Sequence, residues 1–343
     1  MIKKFEEIIT LQRGFDLPEQ SRIVGSFPLF AASGFSDRIN AFKVRGPGVI
    51  TGRSGTIGKV FYTDEDFWPL NTTLFVKDFH GNNPKYISYW LSRFELTKYA
   101  NGASVPTLNR NELNGLECVV HDLIAQQHIV NTIGSVDDLI ENHNSQIQKI
   151  LSIGDLLICQ SANTDSLVKY ANISLGGTPS RSHPEYWNGT IKWINSGAMT
   201  DSPAIMEQTE FITELGVKNS ATKCANEGDT VLSIIDPGTN KVSVVLDNKV
   251  YFNQSVICLS AKNQNDKGLI YFGGKKLVNE IKGYATGAAQ QSLNKEMFEI
   301  SKIHVPDSQT IEKLNKMLER IIELEKRIRF LNRLKIRLLS KYF

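Results

Sequence analysis

Leu175-Gly176-Gly177, followed by Ile191-Lys192-Trp193-Ile194-Asn195-Ser196-Gly197, answers a stretch of the first half, Leu11-Gln12-Arg13-Gly14 followed by Pro28-Leu29-Phe30-Ala31-Ala32-Ser33-Gly34. Gly14 aligns with Gly177 and Ser33-Gly34 with Ser196-Gly197, both at an offset of 163. Val49-Ile50-Thr51 aligns with Val231-Leu232-Ser233, and Asn71 with Asn253, at an offset of 182. Gly102-Ala103 and Leu108-Asn109-Arg110 align with Gly287-Ala288 and Leu293-Asn294-Lys295 at 185. Ordered blocks of this kind make an internal repeat of about half the chain. The growing offset places an insertion of about twenty residues between Gly197 and Val231. The copies share a scaffold but few surface residues.

Each copy reads as a mixed α/β module. Short apolar runs bounded by Gly, Pro, Asn and Asp predict strands at Gly48–Gly52, Leu74–Lys77, Thr230–Ile235, Lys241–Leu246 and Ser255–Ser260. Equivalent short helices are expected at Pro84–Tyr99 and Leu269–Lys282. A strand-like piece closes each copy, Leu116–Val120 and Ile303–Val305, and leads into a long helical pattern.

Those patterns carry apolar residues in steps of three and four, which puts a stripe on one helix face. Ile133, Val136, Ile140, Ile147 and Leu151 form the expected pairing face of the first, and Leu318, Ile321, Ile328, Leu331 and Leu338 that of the second. Asp122 and Asp307 sit at the N-cap positions. Gly134 and Gly154 each weaken an exposed helix by about 1 kcal/mol relative to Ala. Residues 121–160 hold five acidic residues against Lys149 alone, whereas residues 307–343 hold ten basic against five acidic. Opposite charge suggests an intramolecular helix pair whose flanking charges set partner choice. Solvated charged faces, or a basic Lys326–Lys341 tail on DNA phosphates or an acidic partner, are the other readings.

The 343 residues allow two or three domains. At 41% apolar and 22% charged the composition is that of an ordinary globular protein. The start has no secretory h-region, and no apolar run reaches the 18–20 or so residues of a membrane span, so a cytoplasmic protein is expected. Cys118, Cys159, Cys224 and Cys258 are far apart and read as buried free thiols, and the six histidines have no metal-ligand spacing. A net charge of +3 is too weak a bias to mark a nucleic-acid binder.

Module, long helix, module, long helix resembles the DNA-specificity subunits of type I restriction-modification systems along the whole chain. Ile173-Ser174-Leu175-Gly176-Gly177-Thr178-Pro179-Ser180, with Pro184-Glu185-Tyr186-Trp187 and Ile191-Lys192-Trp193-Ile194, is similar to the opening of that family's target-recognition domains. Gly52-Arg53-Ser54-Gly55-Thr56-Ile57-Gly58-Lys59 resembles its glycine-rich strand-turn, and Ala125-Gln126-Gln127-His128-Ile129-Val130 the start of its first spacer helix. His121-Asp122 departs from the Pro-Pro that often precedes that helix, and Leu11 to Phe15 is a weaker match than the second opening.

The resemblance implies an α+β fold in which two mixed α/β target-recognition domains form a pseudo-twofold internal repeat, separated by two long antiparallel coiled-coil helices. The expected parts are domain 1 at 1–120, spacer helix 1 at 121–160, domain 2 at 161–306 and spacer helix 2 at 307–343. Each domain would read one half of a bipartite, asymmetric site on double-stranded DNA. The helices would set the spacing and dock two methyltransferase subunits, and restriction subunits can join. About 30 helical residues at 1.5 Å each span roughly 45 Å, a little more than one DNA turn. The chain would hold no cofactor, while its partners would use S-adenosylmethionine, and ATP and Mg2+ for restriction.

Base-edge and phosphate contacts are expected from polar turns: Arg53, Ser54, Thr56, Lys59, Ser104, Thr107, Asn109 and Arg110 in the first copy, and Asp236, Thr239, Asn240, Lys241, Gln290, Gln291, Ser292, Asn294 and Lys295 in the second. Arg and Lys can pair guanine, and Asn and Gln adenine. The same residues also suit turns that only shape a scaffold. No catalytic or metal site is expected. Gly52 to Lys59 fails as a phosphate loop because Arg53 stands at its first glycine and Val60 follows the lysine. GxSxG and HExxH are absent. An enzyme of two related lobes, a protein–protein scaffold, and a specificity cassette without a methyltransferase remain the competing readings.

Overall fold

The repeat becomes two units, each holding one module and a stretch of both long helices. The computed structural model describes residues 1–101, 106–200, 202–235, 241–281 and 293–343. One unit comprises Met1–Asp138 with Arg333–Phe343, the other Leu139–Asn332.

In the first unit β1 (Ile2–Lys4), the one-turn α1 (Phe5–Ile8) and β2 (Thr10–Arg13) precede a hairpin of β3 (Val24–Ala31) and β4 (Gly34–Ile39). Then come β5 (Gly48–Gly52), β6 (Val60–Thr63), β7 (Trp68–Pro69), β8 (Thr73–Asp78) and α2 (Pro84–Ser92). The short β9 (Ala100–Asn101), β10 (Thr107–Leu108) and β11 (Glu117–Val119) lead into α3 (Leu123–Cys159). An antiparallel sheet runs β2-β8-β5-β6, a second runs β4-β3-β7 with β3 and β7 parallel, and β1 pairs with β11. All of β5 is buried because both its faces are covered. Val49 packs with Tyr86, Trp90 and Leu91 of α2, while Ile50 packs with Phe30, Phe67 and Phe75.

The second unit repeats this order as β12 (Thr164–Ser166), α4 (Leu167–Tyr170), β13 (Ala171–Leu175) and β14 (Trp187–Ile194). It continues with β15 (Ala204–Ile205), β16 (Glu210–Ile212), α5 (Glu214–Lys218), β17 (Lys223–Ala225), β18 (Thr230–Ser233) and β19 (Val242–Val245). β20 (Val250–Phe252), β21 (Val256–Ala261), α6 (Lys267–Ile281), α7 (Lys295–Ile300), β22 (Lys302–His304) and α8 (Ser308–Tyr342) complete it. The sheets run β13-β21-β18-β19-β15 and β16-β14-β20-β17, and β12 pairs with β22. Against the first module, the added pieces are β15, α5 and β17, which fall in the expected insertion.

Hydrogen bonds shift the alignment of the copies by one residue within the strands. Gly14 N–H donates to the Thr73 carbonyl and Phe15 N–H to Pro69, as Gly176 N–H donates to Val256 and Gly177 N–H to Phe252. Gly14 therefore corresponds to Gly176, not Gly177. A Cβ at either would lie 2.1–2.2 Å from a carbonyl oxygen of the crossing strand, Leu70 or Phe252. Likewise Ile50 corresponds to Val231, which packs with Val250 and Phe252 on the face away from the helices. A one-residue slip exchanges the faces of a strand, and residue similarity alone cannot detect it when both neighbours are apolar.

Both expected caps form. Asp122 Oδ1 accepts from Ala125 N–H at 2.8 Å, and Asp307 Oδ1 from Thr310 N–H at 3.0 Å. All ten residues of the expected helix face are buried or half-buried: Ile133, Val136, Ile140, Ile147, Leu151, Leu318, Ile321, Ile328, Leu331 and Leu338. Locally the helices run antiparallel. In the first unit Asp137 lies beside Lys335 and His128 beside Tyr342. In the second, Gln146 accepts a hydrogen bond from Arg320.

Charge pairing between the helices is sparser than expected. Among the described residues one ion pair joins α3 to α8, Asp137 with Lys335 at 2.6 Å. Glu312 with Lys316, and Glu323 with Arg320 and Arg327, pair within α8, and several other charges reach the modules. Asp138 lies 3.8 Å from Lys85 and Asp155 2.8 Å from Lys275. Lys326 meets Glu227 at 2.6 Å, and Arg329 holds Asp247 through two bonds of 2.7 and 3.1 Å. Burial pushes the Asp247 carboxyl up, but Arg329 and Lys192 outweigh it and hold it below the ordinary range. The helices are thus latched to modules by charge and to each other by their apolar seam.

Cys159, the half-buried Cys224 and Gly154 differ from expectation. Cys159 is exposed because it ends α3 beyond the apolar stripe, whereas Cys118 and Cys258 are buried and all four thiols are free. Gly154 is a contact rather than a mere weak point, since a Cβ there would lie 2.2 Å from the Phe272 ring. Glu325, on the buried side of α8, is only 3% exposed. Burial holds its carboxyl up at about 7, and a hydrogen bond with Ser202 lowers it only in part.

The two helix glycines should respond to substitution with opposite signs. Gly134→Ala should stabilise by about 0.5–1 kcal/mol, since its Cβ meets only van der Waals neighbours at 3.7 Å and beyond. Gly154→Ala should destabilise by about 1–2 kcal/mol, because overpacking against Phe272 exceeds the propensity gain. Urea unfolding of both variants checks the opposite signs. The folded state binds the Glu325 proton more tightly than the unfolded chain, so its contribution is most favourable below about pH 4.5 and is lost as pH rises through about 7. Glu325→Gln should stabilise by on the order of 3 kcal/mol at pH 8 and change little at pH 4.5. Equal effects in urea titrations at the two pH values would contradict the assignment.

Candidate nucleic-acid interface

The glycine-rich turn after β5 is folded tightly enough to reject side chains. A Cβ on Gly52 would lie 1.7 Å from the Thr56 carbonyl oxygen, and Gly55 and Gly58 have φ of 82° and 95°. The buried Thr51 hydroxyl closes the turn by donating to the Lys59 carbonyl at 2.9 Å. Thr56 and Lys59 are thus engaged through their backbones, with the Lys59 side chain exposed.

The turn is stitched to β10. Arg53 N–H donates to the Thr72 carbonyl, the Arg53 carbonyl accepts from Leu108 N–H at 2.8 Å, and Ser54 forms a β-bridge with Thr107. This brings Arg53, Thr107, Asn109 and Arg110 to one cleft of about 230 Å³, which Arg13 and Asn111 also line. An adjoining cleft of about 610 Å³ shares Arg110 and Asn111 and adds Lys77, Gln12 and Asn114, with Glu6 as its acid. Sequence reasoning missed Arg13 and Lys77, which lie on neighbouring strands β2 and β8. The sequence signal was slight: Arg13 lies inside the first repeat block and Lys77 ends an expected strand.

Some expected contact residues also hold the scaffold. Asn109 accepts from Asn111 N–H at 3.1 Å, capping a helical turn, and the Arg110 guanidinium donates to the Leu11 carbonyl at 2.8 Å. Asn294, the repeat partner of Asn109, caps α7 by accepting from Met297 N–H at 2.9 Å. Lys295 pairs with Glu299 at 3.0 Å, and the Lys241 carbonyl accepts from Ser233 N–H. Ser104, Asp236, Thr239, Asn240, Gln290, Gln291 and Ser292 lie outside the described residues.

Backbone equivalence shows what changes between the modules. Leu293 N–H donates to the Ile234 carbonyl as Leu108 N–H donates to Arg53, and both leucines are 1% exposed. Ile234 therefore stands where the first module has Arg53. One of the three guanidinium groups that line the first cleft is thus replaced by an apolar side chain.

The motif at the opening of the second module builds structure. The Arg181 guanidinium stacks 3.5 Å from the Trp187 ring centroid and forms a two-pronged pair with Glu210. Trp187 meets Trp193 edge-on at 5.2 Å and donates to the Ser180 carbonyl. Gln126, from the stretch that opens α3, is 1% exposed. It donates to Asn82 Oδ1 at 2.7 Å and accepts from Asn83 N–H at 2.9 Å, tying α3 to the start of α2. Asn315 of α8 repeats the device, accepting from Gly268 N–H of α6 at 2.6 Å.

Among the described residues no set of three His, Cys, Asp or Glu gathers as a metal site, and no helix is long and apolar enough to cross a membrane.

No curated protein matches the chain. The type I restriction-modification system S subunit from M. genitalium has a similar solved structure, with TM-score 0.62 and 17% identity, covering 100% of this chain and 96% of that one. The HsdS subunit from Thermoanaerobacter tengcongensis matches at TM-score 0.35 and 12% identity, over 100% and 96% of the two chains. The family described as "Type I restriction modification DNA specificity domain" matches residues 1–152 and again residues 169–334. With one such match to each copy of the repeat, the chain belongs to the DNA-specificity family of type I restriction-modification systems.

Proposed function

We propose that the chain is the non-catalytic DNA-reading subunit of a type I complex, with each module reading one half of a bipartite, asymmetric site. The observation that carries this reading is one scaffold whose two copies place unlike side chains at equivalent backbone positions. Arg13, Arg53 and Arg110 converge in the first, while Ile234 replaces Arg53 in the second. Guanidinium groups suit both phosphate contacts and guanine edges, and an apolar residue at the equivalent place changes what can be read.

On this reading α3 and α8 set the spacing of the half-sites and dock two methyltransferase subunits, with restriction subunits joining the same complex in the cytoplasm. The chain itself holds no cofactor. S-adenosylmethionine, and ATP and Mg2+ for restriction, belong to its partners.

Co-expression with an adenine-methyltransferase subunit in a methylation-free host should yield a split motif with two unlike halves and a fixed gap. Exchange of residues 1–120 for another module should change one half alone. A soluble, stable complex that adds no methylation would favour a scaffold or an inactive cassette instead. Within a working complex, Arg53→Ala should weaken DNA binding and lower the slope of log affinity against log salt by about one. Asn294→Ala should cost about 1 kcal/mol of stability through its lost cap and leave that slope unchanged.

A further inference from the structure

The second module contains a cleft whose walls the first module lacks. From β4 the first chain segment reaches β5 through residues 40–47, whereas from β16 the second reaches β18 through residues 213–229. The longer connection forms α5 and β17, and β17 adds a fourth strand beside β20. Together with β14 and β20 they enclose a cleft of about 660 Å³. Its apolar part is Ile191, Val217 and the half-buried Tyr251, and its charged part is Lys192, Lys218 and Lys249 against Glu214 alone.

The acids flanking the cleft are already engaged, which leaves Glu214 as the one carboxylate in its lining. Asp247 holds Lys192 at 3.1 Å and Arg329 at 2.7 Å, Glu227 holds Lys326, and the Asp229 carboxylate accepts from Asn226 N–H and the Ser260 hydroxyl. Lys218 and Lys249 are exposed and make no ion pair among the described residues. Lys249 sits in a left-handed turn with φ of 57°, which the Asn226 side chain braces by accepting its N–H. Two free ammonium groups beside an apolar, tyrosine-bearing floor suit a phosphate ester that carries a sugar.

We propose that this cleft is a phosphodiester-binding subsite for the DNA backbone, a contact that the first module, without α5 and β17, does not build in the same place. The proposal rests on the DNA-reading function above and adds an asymmetry in backbone contacts to the asymmetry in sequence. Lys218 and Lys249 engage neighbouring phosphates, while Lys192 stays tied to Asp247 and thereby joins the cleft to α8 through Arg329.

The test uses the assembled methyltransferase complex and its methylated target duplex. Binding is titrated against salt for the wild-type chain and for a Lys218→Ala, Lys249→Ala double variant. The variant should bind several-fold more weakly near physiological salt and lower the log–log slope by roughly two, about 0.9 for each lost phosphate contact, with the methylation motif unchanged. A properly assembled variant with the wild-type slope overturns the subsite and leaves the DNA-reading function standing. A wild-type complex that binds no duplex overturns both. A second readout is alkylation of Cys224, a half-buried thiol lining the same cleft. The duplex should slow it several-fold. Unchanged alkylation on the duplex, or protection by a free mononucleotide but not by the duplex, overturns the assignment to DNA.

Discussion

Burial of one apolar stripe on each long helix against a module is the interaction on which the remaining structure depends. In the second unit Leu314, Leu318, Ile321, Leu324 and Ile328 of α8 enter the same core as Ile147, Leu151 and Ile158 of α3 and Leu269 to Phe272 of α6. In the first, Ile129 and Ile133 of α3 join Tyr86, Tyr89 and Trp90 of α2. Each such side chain contributes about 1.5–3 kcal/mol when fully buried, more than any exposed ion pair on these helices can. Helix and module therefore share one core in each unit.

Polar contacts then set how each helix sits on its module. Gln126 and Asn315 reach the first turn of α2 and α6, and Arg329 reaches Asp247. These bonds are directional, so they fix rotation where apolar packing tolerates several arrangements. Glu325 is the exception, because burial leaves its carboxyl resisting ionisation at the helix–module boundary.

The two copies keep what the backbone demands and vary what it does not. Gly14 and Gly176 each lie against a carbonyl of a crossing strand, and Asn109 and Asn294 each cap a turn after a buried leucine. By contrast Arg53 gives way to Ile234, and a connection that is short in the first module builds α5 and β17 in the second. Unlike recognition surfaces can thus be carried on one topology, as the proposed asymmetric site requires.

The sequence by itself determined the repeat, the alternation of modules with long helices, both N-caps and the apolar helix faces. Those features rest on local periodicity and on glycines and asparagines whose backbone roles do not depend on distant partners. It also pointed to Arg53, Asn109 and Arg110, because the glycine-rich turn and the Leu-Asn-Arg block are local motifs. Only the tertiary structure decided the strand register, since apolar neighbours such as Val231 and Leu232 are interchangeable until the sheet assigns them opposite faces. Arg13 and Lys77 were illegible for a related reason: they come from separate strands that hydrogen bonding alone brings to neighbouring clefts. The destination of the helix charges was equally hidden. A charge count along a helix gives its sign, whereas the partner of Arg329 is a carboxylate 82 residues away in sequence that folding carries to its side.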